Sequence, residues 1–252
     1  MEKIVTHTIS TYNIDHDTDL RAVVNHIING DVVLLKVGGV YSFIINPYIK
    51  DLLSKFNIIK QRKANQVLSV VACYASIQKI IDKTRINPDY YILPENLSSK
   101  FIFRVPIIKN DYPFSYHNTN NTLQYITFDH GNLYRKKLLE LLNEKGIEFL
   151  SITSGNVSGA PTVTEDLDAL ELAVVFNEYA HMLDIDLKTV VALNKTDTYD
   201  HKGSYLIIDF SKPENVEIKR YINKDDIKTT HEFLEKYHIG KNFSTPLIIN
   251  ID

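Results

Sequence analysis

One cysteine in 252 residues, Cys73, leaves no partner for a disulfide and no thiolate set for a metal centre. The nine histidines are scattered, with no His-x-His or His-Glu-x-x-His spacing, so zinc chemistry is not expected. No stretch approaches the roughly 20 apolar residues that a bilayer span requires. The first residues, Met1 to His7, carry no long apolar core of the kind that directs secretion. The expectation is a cytoplasmic protein without membrane contact. Charge of one sign is also lacking: a formal net charge of -3 gives no global basic field, so any nucleic-acid contact would need a local patch. No Ser-His-Asp or Cys-His arrangement is present to suggest nucleophilic catalysis, and there is no internal repeat or low-complexity linker.

What is present is core-forming material. A hydrophobic content of 44% over this length suits one large α/β domain. Leu20, Val23, Val24, Ile27 and Ile28 recur at helical spacing over Thr18 to Ile28, with Asp17 or Thr18 able to cap and Gly30 able to end the helix. Val32 to Leu35 reads as a buried strand, and Val37-Gly38-Gly39-Val40-Tyr41 as a turn. Further helices are expected over Tyr48 to Phe56, Ser76 to Lys83, Leu133 to Lys145 and from Thr162 to about Met182, where Thr162 and Glu165 have capping-box spacing. Strands are expected over Leu68 to Cys73, Phe101 to Pro106, Thr122 to Phe128, Ile147 to Thr153, Val190 to Leu193, Ser204 to Asp209 and Val216 to Tyr221. Asn110 to Thr122 reads as a surface loop, Asp225 to Tyr237 as a closing helix, and Pro246 to Ile251 as a last strand or docked tail. The irregular alternation predicts a single-domain mixed twisted sheet flanked by helices, with a domain over 1–222 and the segment 223–252 packed on it.

The chemistry centres on Ser151 to Thr164. An apolar strand runs into Ser154-Gly155-Asn156-Val157-Ser158-Gly159-Ala160-Pro161-Thr162, and a long amphipathic helix follows. Hydroxyls, an amide and a helix amino terminus at the carboxyl end of a strand form the usual ligand position in open α/β sheets. A Ser/Gly loop closed by a helix cap would also account for it. Earlier in the chain, Lys60, Arg62 and Lys63 lead into a strand. Such a run is commonly a solvated loop, but it can also deliver cations to one anionic ligand, with Arg gripping it bidentately.

The loop resembles the Thr-Ser-Ala-Asn-x-Ser-Gly signature of the YrdC-like family, which includes the threonylcarbamoyl-AMP synthases of tRNA modification. Other blocks are similar in the same order: Lys60-Gln61-Arg62 before Leu68-Ser69-Val70, Arg104-Val105-Pro106, Ser204 to Asp209, and Arg220 in the last strand. They cover roughly residues 20 to 222. Two blocks depart from the pattern. Pro-Thr-x-Thr-x-Tyr-Gly-Leu survives only as Val40 and Tyr41, without its threonines, and Pro-Gly-Pro-x-Thr is at best Pro94 to Ser98. Gly155 stands where the family carries alanine, which by itself would loosen the loop.

The resemblance implies a YrdC-like fold and ATP-dependent synthesis of threonylcarbamoyl-AMP from L-threonine and bicarbonate, for tRNA adenosine modification. Lys60 and Arg62 would hold the triphosphate and the substrate carboxylate, converging with Arg104. Ser154, Asn156, Arg104 and Arg220 would bind nucleotide, and Tyr41 and Ser204 would line the substrate side. ATP would bring Mg²⁺ with it, with no metal held by the protein alone. Partners would be tRNA or the tRNA-modifying transferase complex. Two alternatives stand: a divergent nucleotide- or RNA-binding relative without synthase activity, and a carbamoyl-transfer enzyme with another acceptor.

Overall fold

A computed structural model describes residues 9–62, 68–86, 101–114, 121–129, 132–197, 207–212 and 215–220. The segment 223–252, with its expected helix and tail, lies outside them.

The strands are β1 (Thr11–Asn13), β2 (Val32–Val37), β3 (Val40–Ile45), β4 (Ser69–Ala72), β5 (Ile102–Pro106), β6 (Thr122–Thr127), β7 (Leu150–Ser154), β8 (Thr189–Leu193), β9 (Ile207–Lys212) and β10 (Asn215–Arg220). They form one sheet in the order β1-β8-β2-β3-β7-β4-β6-β5-β9-β10. Pairing is mixed. β1, β8 and β2 run parallel, β3 and β7 continue antiparallel, and the far half alternates between parallel β4·β6 and β5·β9 pairs and antiparallel ones.

The helices are α1 (Asp17–Asn29), α2 (Leu52–Ile59), α3 (Tyr74–Ile80), α4 (Leu133–Asn143) and α5 (Asp166–Met182). Their apolar stripes fix the layers. Leu20, Val23 and Ile27 of α1 and Leu138 and Leu142 of α4 bury against Val33, Ile44, Ile152 and Val190 on one face. Phe56 of α2 and Phe176 of α5 bury against Leu34, Phe43 and Val191 on the other. Phe43, Phe56 and Phe176 meet with ring centroids 4.5 to 6.1 Å apart, and each buried side chain of this kind contributes about 1.5–3 kcal/mol. Ile77 and Ile80 of α3 join a third cluster with Val70, Phe103, Tyr125 and Ile208.

Local chemistry moves several boundaries from their sequence expectation. The turn at Gly38-Gly39 closes a hairpin, with φ of 54° and 80° at the two glycines, as a primed two-residue turn requires. Its second strand, β3, shows no alternation because every residue from Val40 to Ile45 is buried. The α2 helix starts at Leu52 rather than Tyr48, since the Asn46 side chain accepts from the Tyr48 amide at 3.0 Å and holds that segment in a turn. The α5 helix starts at Asp166, with Glu165 at the N-cap and no side-chain cap, so the expected capping box does not form. The Asn110 loop is not wholly superficial: Tyr112 stacks on Phe114 at 5.2 Å, and Phe114 is buried against Phe149.

Candidate anion-binding site

The carboxyl end of β7 is tied down by its backbone. The Gly155 amide donates to the Tyr41 carbonyl at 2.7 Å, the Val163 amide to the Gly155 carbonyl at 2.8 Å, and the Tyr41 amide to the Val163 carbonyl at 2.8 Å. This ring closes the Gly155 to Val163 loop at its base. Inside the loop, Ser154 Oγ donates to Asn156 Oδ1 at 2.7 Å, and Asn156 Nδ2 donates to the Ala160 carbonyl.

Lys60 caps α2 and reaches this loop from the side. Its Nζ donates to the Ser154 carbonyl, to the Asn156 carbonyl at 2.9 Å and to Asn156 Oδ1 at 3.0 Å, and it lies 5.0 Å from the centroid of the Phe43 ring. Arg62 donates from Nη1 to Thr153 Oγ1 at 2.8 Å. Lys60 is therefore no solvated charge, being only 3% exposed, while Arg62 is half-buried and Lys63 lies outside the described residues. Burial, with the Arg62 charge adding to it, pushes the Lys60 ammonium down to about 7. Burial also lowers the Arg62 guanidinium from its usual value.

Gly155 sits where no side chain fits. A Cβ there would stand 2.8 Å from the Tyr41 carbonyl oxygen and 2.9 Å from Leu34 Cδ1. The glycine tightens the loop, the reverse of the loosening expected from lost alanine, because close approach to Tyr41 outweighs added backbone freedom. Gly155→Ala is expected to cost about 1–3 kcal/mol, as overpacking against backbone does. Urea unfolding checks this, and an unchanged midpoint would show that the loop has slack.

Tyr41 reaches the site through its backbone. Its side chain is 0% exposed and packs with Leu34 and Phe43, and its hydroxyl donates to Asp166 Oδ1 at 2.8 Å. Lys36 Nζ binds the same oxygen at 2.8 Å. Burial first, and then Asp166, push the Tyr41 hydroxyl up. Burial would raise the Asp166 carboxyl, but the bonds from Lys36 and Tyr41 outweigh it and hold the group below its usual range.

Arg104 lies elsewhere on the sheet. It pairs across β6 and β9 with Gln124 and Asp209, donating to Gln124 Oε1 at 2.9 Å and to Asp209 Oδ2 at 3.2 Å, and Gln124 Nε2 donates to Ser69 Oγ at 2.6 Å. The three cations expected to converge thus divide into a pair and a single. Ser69 pairs with Ile152, so this polar row shares a face with Ile152 and with Ser154 two residues on. Three strand spacings, about 14 Å, separate β7 from β5. The Arg220 backbone pairs with Ile207 at the sheet edge, and Ser204 lies outside the described residues.

Sequence reasoning missed a buried ion pair near the hairpin. Arg135 Nε stands 3.4 Å from Asp197 Oδ2, with side chains 4% and 2% exposed, and the guanidinium lies 5.3 Å from the centroid of the Phe128 ring. Asp197 also accepts from the Gly38 amide at 2.8 Å. Asn132 caps α4 through the Tyr134 and Arg135 amides and donates to Asn194 Oδ1 at 3.1 Å. The signal was faint: Arg135 precedes Lys136 and Lys137 and reads as one of a solvated charge run.

No family model matches the chain, and no curated protein matches it by sequence. Solved structures do. One of P. abyssi Sua5 aligns at 16% identity and a TM-score of 0.62 over 87% of this chain, and this chain spans 62% of that one. Another, of P. abyssi Sua5 complexed with L-threonine, aligns at 17% identity and 0.59, over 88% and 60% of the two chains. E. coli YciO aligns at 13% identity and 0.59, over 84% of this chain and 92% of its own. HypF in a phosphate- and nucleotide-bound form aligns at 17% identity and 0.57, over 80% of this chain and 28% of its own. The chain has the YrdC-like fold. Among the described residues, no helix is long and apolar enough to cross a membrane.

Proposed function

We propose that this protein is an ATP-dependent adenylyl-transferring enzyme that makes threonylcarbamoyl-AMP from L-threonine, bicarbonate and ATP. The observation that carries the reading is the clamped Ser154 to Asn156 loop at the carboxyl end of β7, with Lys60 buried and Arg62 half-buried behind it. The likeness in fold to a Sua5 structure complexed with L-threonine and to a HypF structure with bound nucleotide supports it.

In the proposed reaction a carbamate oxygen attacks the α-phosphorus, and the bond from that phosphorus to the bridging oxygen breaks. Pyrophosphate leaves with the electron pair. Two anions must approach, so positioning and positive potential supply most of the rate, and no protein nucleophile is required. A half-buried cation such as Arg62 acts more strongly than a fully exposed one, because less water screens it. Ser154, Asn156 and the loop backbone would hold phosphate oxygens, and Arg62 would supply charge. Mg²⁺ would enter on the phosphates and neutralise them. A tRNA-modifying transferase would receive the labile product.

A second reading concerns the acceptor. Both threonines of the first motif are absent, and the Tyr41 side chain is committed to the core and to Asp166. An acceptor other than threonine is compatible with the same phosphate chemistry. The deciding experiment is pyrophosphate release from ATP and bicarbonate, with threonine present, absent or replaced by other amino acids. Release that requires threonine is the expected result. Release with another acceptor would establish the second reading, and ATP binding without release would leave a nucleotide-binding relative.

A further inference from the structure

We propose that Lys60 is a positioning residue, a latch that holds the Ser154 to Asn156 loop in its ligand-ready shape, rather than a cation that touches the ligand. An ammonium has three N–H donors and no acceptor. In Lys60 each donor meets an oxygen of the loop: the Ser154 carbonyl, the Asn156 carbonyl and Asn156 Oδ1. The backbone of the same residue adds a fourth tie, since the Ser158 amide donates to the Lys60 carbonyl at 3.4 Å. Side chain and main chain of one residue therefore staple the carboxyl end of α2 across the loop. With the amine buried against the Phe43 ring and its donors spent, a phosphate could reach it only by breaking the loop's own bonds.

Asn156 is the other half of the device. Its Oδ1 accepts from both Lys60 and Ser154 Oγ, which orients its Nδ2 toward the Ala160 carbonyl. Removing the ammonium would release two carbonyls and this amide together, so the loop would sample open shapes. Its affinity for an anion would then fall in proportion to the closed fraction.

The exchange arm of the test does not depend on the nucleotide reading, whereas the affinity arm rests on it. Amide hydrogen exchange of residues 155–160 is measured in the ligand-free protein for wild type, Lys60→Met and Asn156→Ala, and ATP·Mg affinity is measured by calorimetry on the same samples. The expected result is at least roughly ten-fold faster loop exchange in Lys60→Met, a smaller acceleration in Asn156→Ala, and a loss of ATP affinity that follows the loss of protection. Affinity lost with loop exchange unchanged would make Lys60 a direct ligand contact and overturn the proposal. Faster exchange with affinity unchanged would reduce it to a structural bond and overturn it equally. If wild type does not bind ATP, the nucleotide reading fails while the exchange result still stands for or against the latch. Should Lys60→Met not fold, Lys60→Gln, which keeps two N–H donors without the charge, decides by the same two readouts.

Discussion

Asp197→Ala is expected to destabilise the protein by about 3–5 kcal/mol, the usual cost of stranding one member of a buried ion pair. Arg135 would keep its charge in a site where its side chain is 4% exposed, and the Gly38 amide would lose its acceptor. The Phe128 ring, 5.3 Å from the guanidinium, softens the loss without replacing a carboxylate. The Nε to Oδ2 separation of 3.4 Å is long, and Arg135 Nε and Nη1 have no hydrogen-bond partner among the described residues. The pair is thus only partly satisfied, and its removal as a unit should be far cheaper than breaking it. Arg135→Met combined with Asp197→Asn, which keeps an acceptor for Gly38, is expected to recover most of the loss. Urea unfolding of the two single variants and the double variant tests this. A loss below about 1 kcal/mol in Asp197→Ala would mean that the guanidinium finds water or another partner.

This pair also shows where legibility ends. Helices α1, α4 and α5 announce themselves by apolar residues at three- and four-residue intervals, and Gly30 with φ of 93° ends α1 as read. The mixed sheet follows from irregular alternation. Neither β3 nor the start of α2 is readable by such rules. A strand buried on both faces shows no period, and a single asparagine side chain, Asn46, displaces a helix start. In the site, residue types and order point to Ser154, Asn156, Lys60 and Arg62 as one group, and the structure brings these four together. Their roles were hidden because they depend on which oxygen meets which donor across the fold. Lys60 reads as an exposed cation in Lys60-Gln61-Arg62-Lys63, and only the docking of the β7 loop onto the end of α2 makes it a buried one. Arg104 reads as a companion to that pair, yet strand order places β4 and β6 between it and β7.

Burial of Lys60 carries a consequence for stability against pH. In the folded protein its ammonium titrates at about 7, against 10.5 for an unperturbed lysine. Below about 7 both folded and unfolded chains hold the proton, and this group contributes no pH dependence. Between about 7 and 10.5 the unfolded chain holds a proton that the folded chain has released, so stability rises with pH, by up to about 1.4 kcal/mol per unit. The sign is opposite to that of a lysine stabilised by a carboxylate, because here deprotonation relieves the cost of a buried charge beside Arg62. A neutral amine still donates two N–H groups to the loop, so the contact persists while the charge is lost. Unfolding free energies of wild type and Lys60→Met, compared from pH 6 to 9.5, isolate the effect, since all other titrations cancel in the difference. Wild type is expected to gain on the variant by several kcal/mol across that range. Parallel curves would show that the ammonium keeps its ordinary pKa. The three oxygens around it would then stabilise the charge enough to offset its burial, and Lys60 would stand as a permanent cation behind the anion-binding loop.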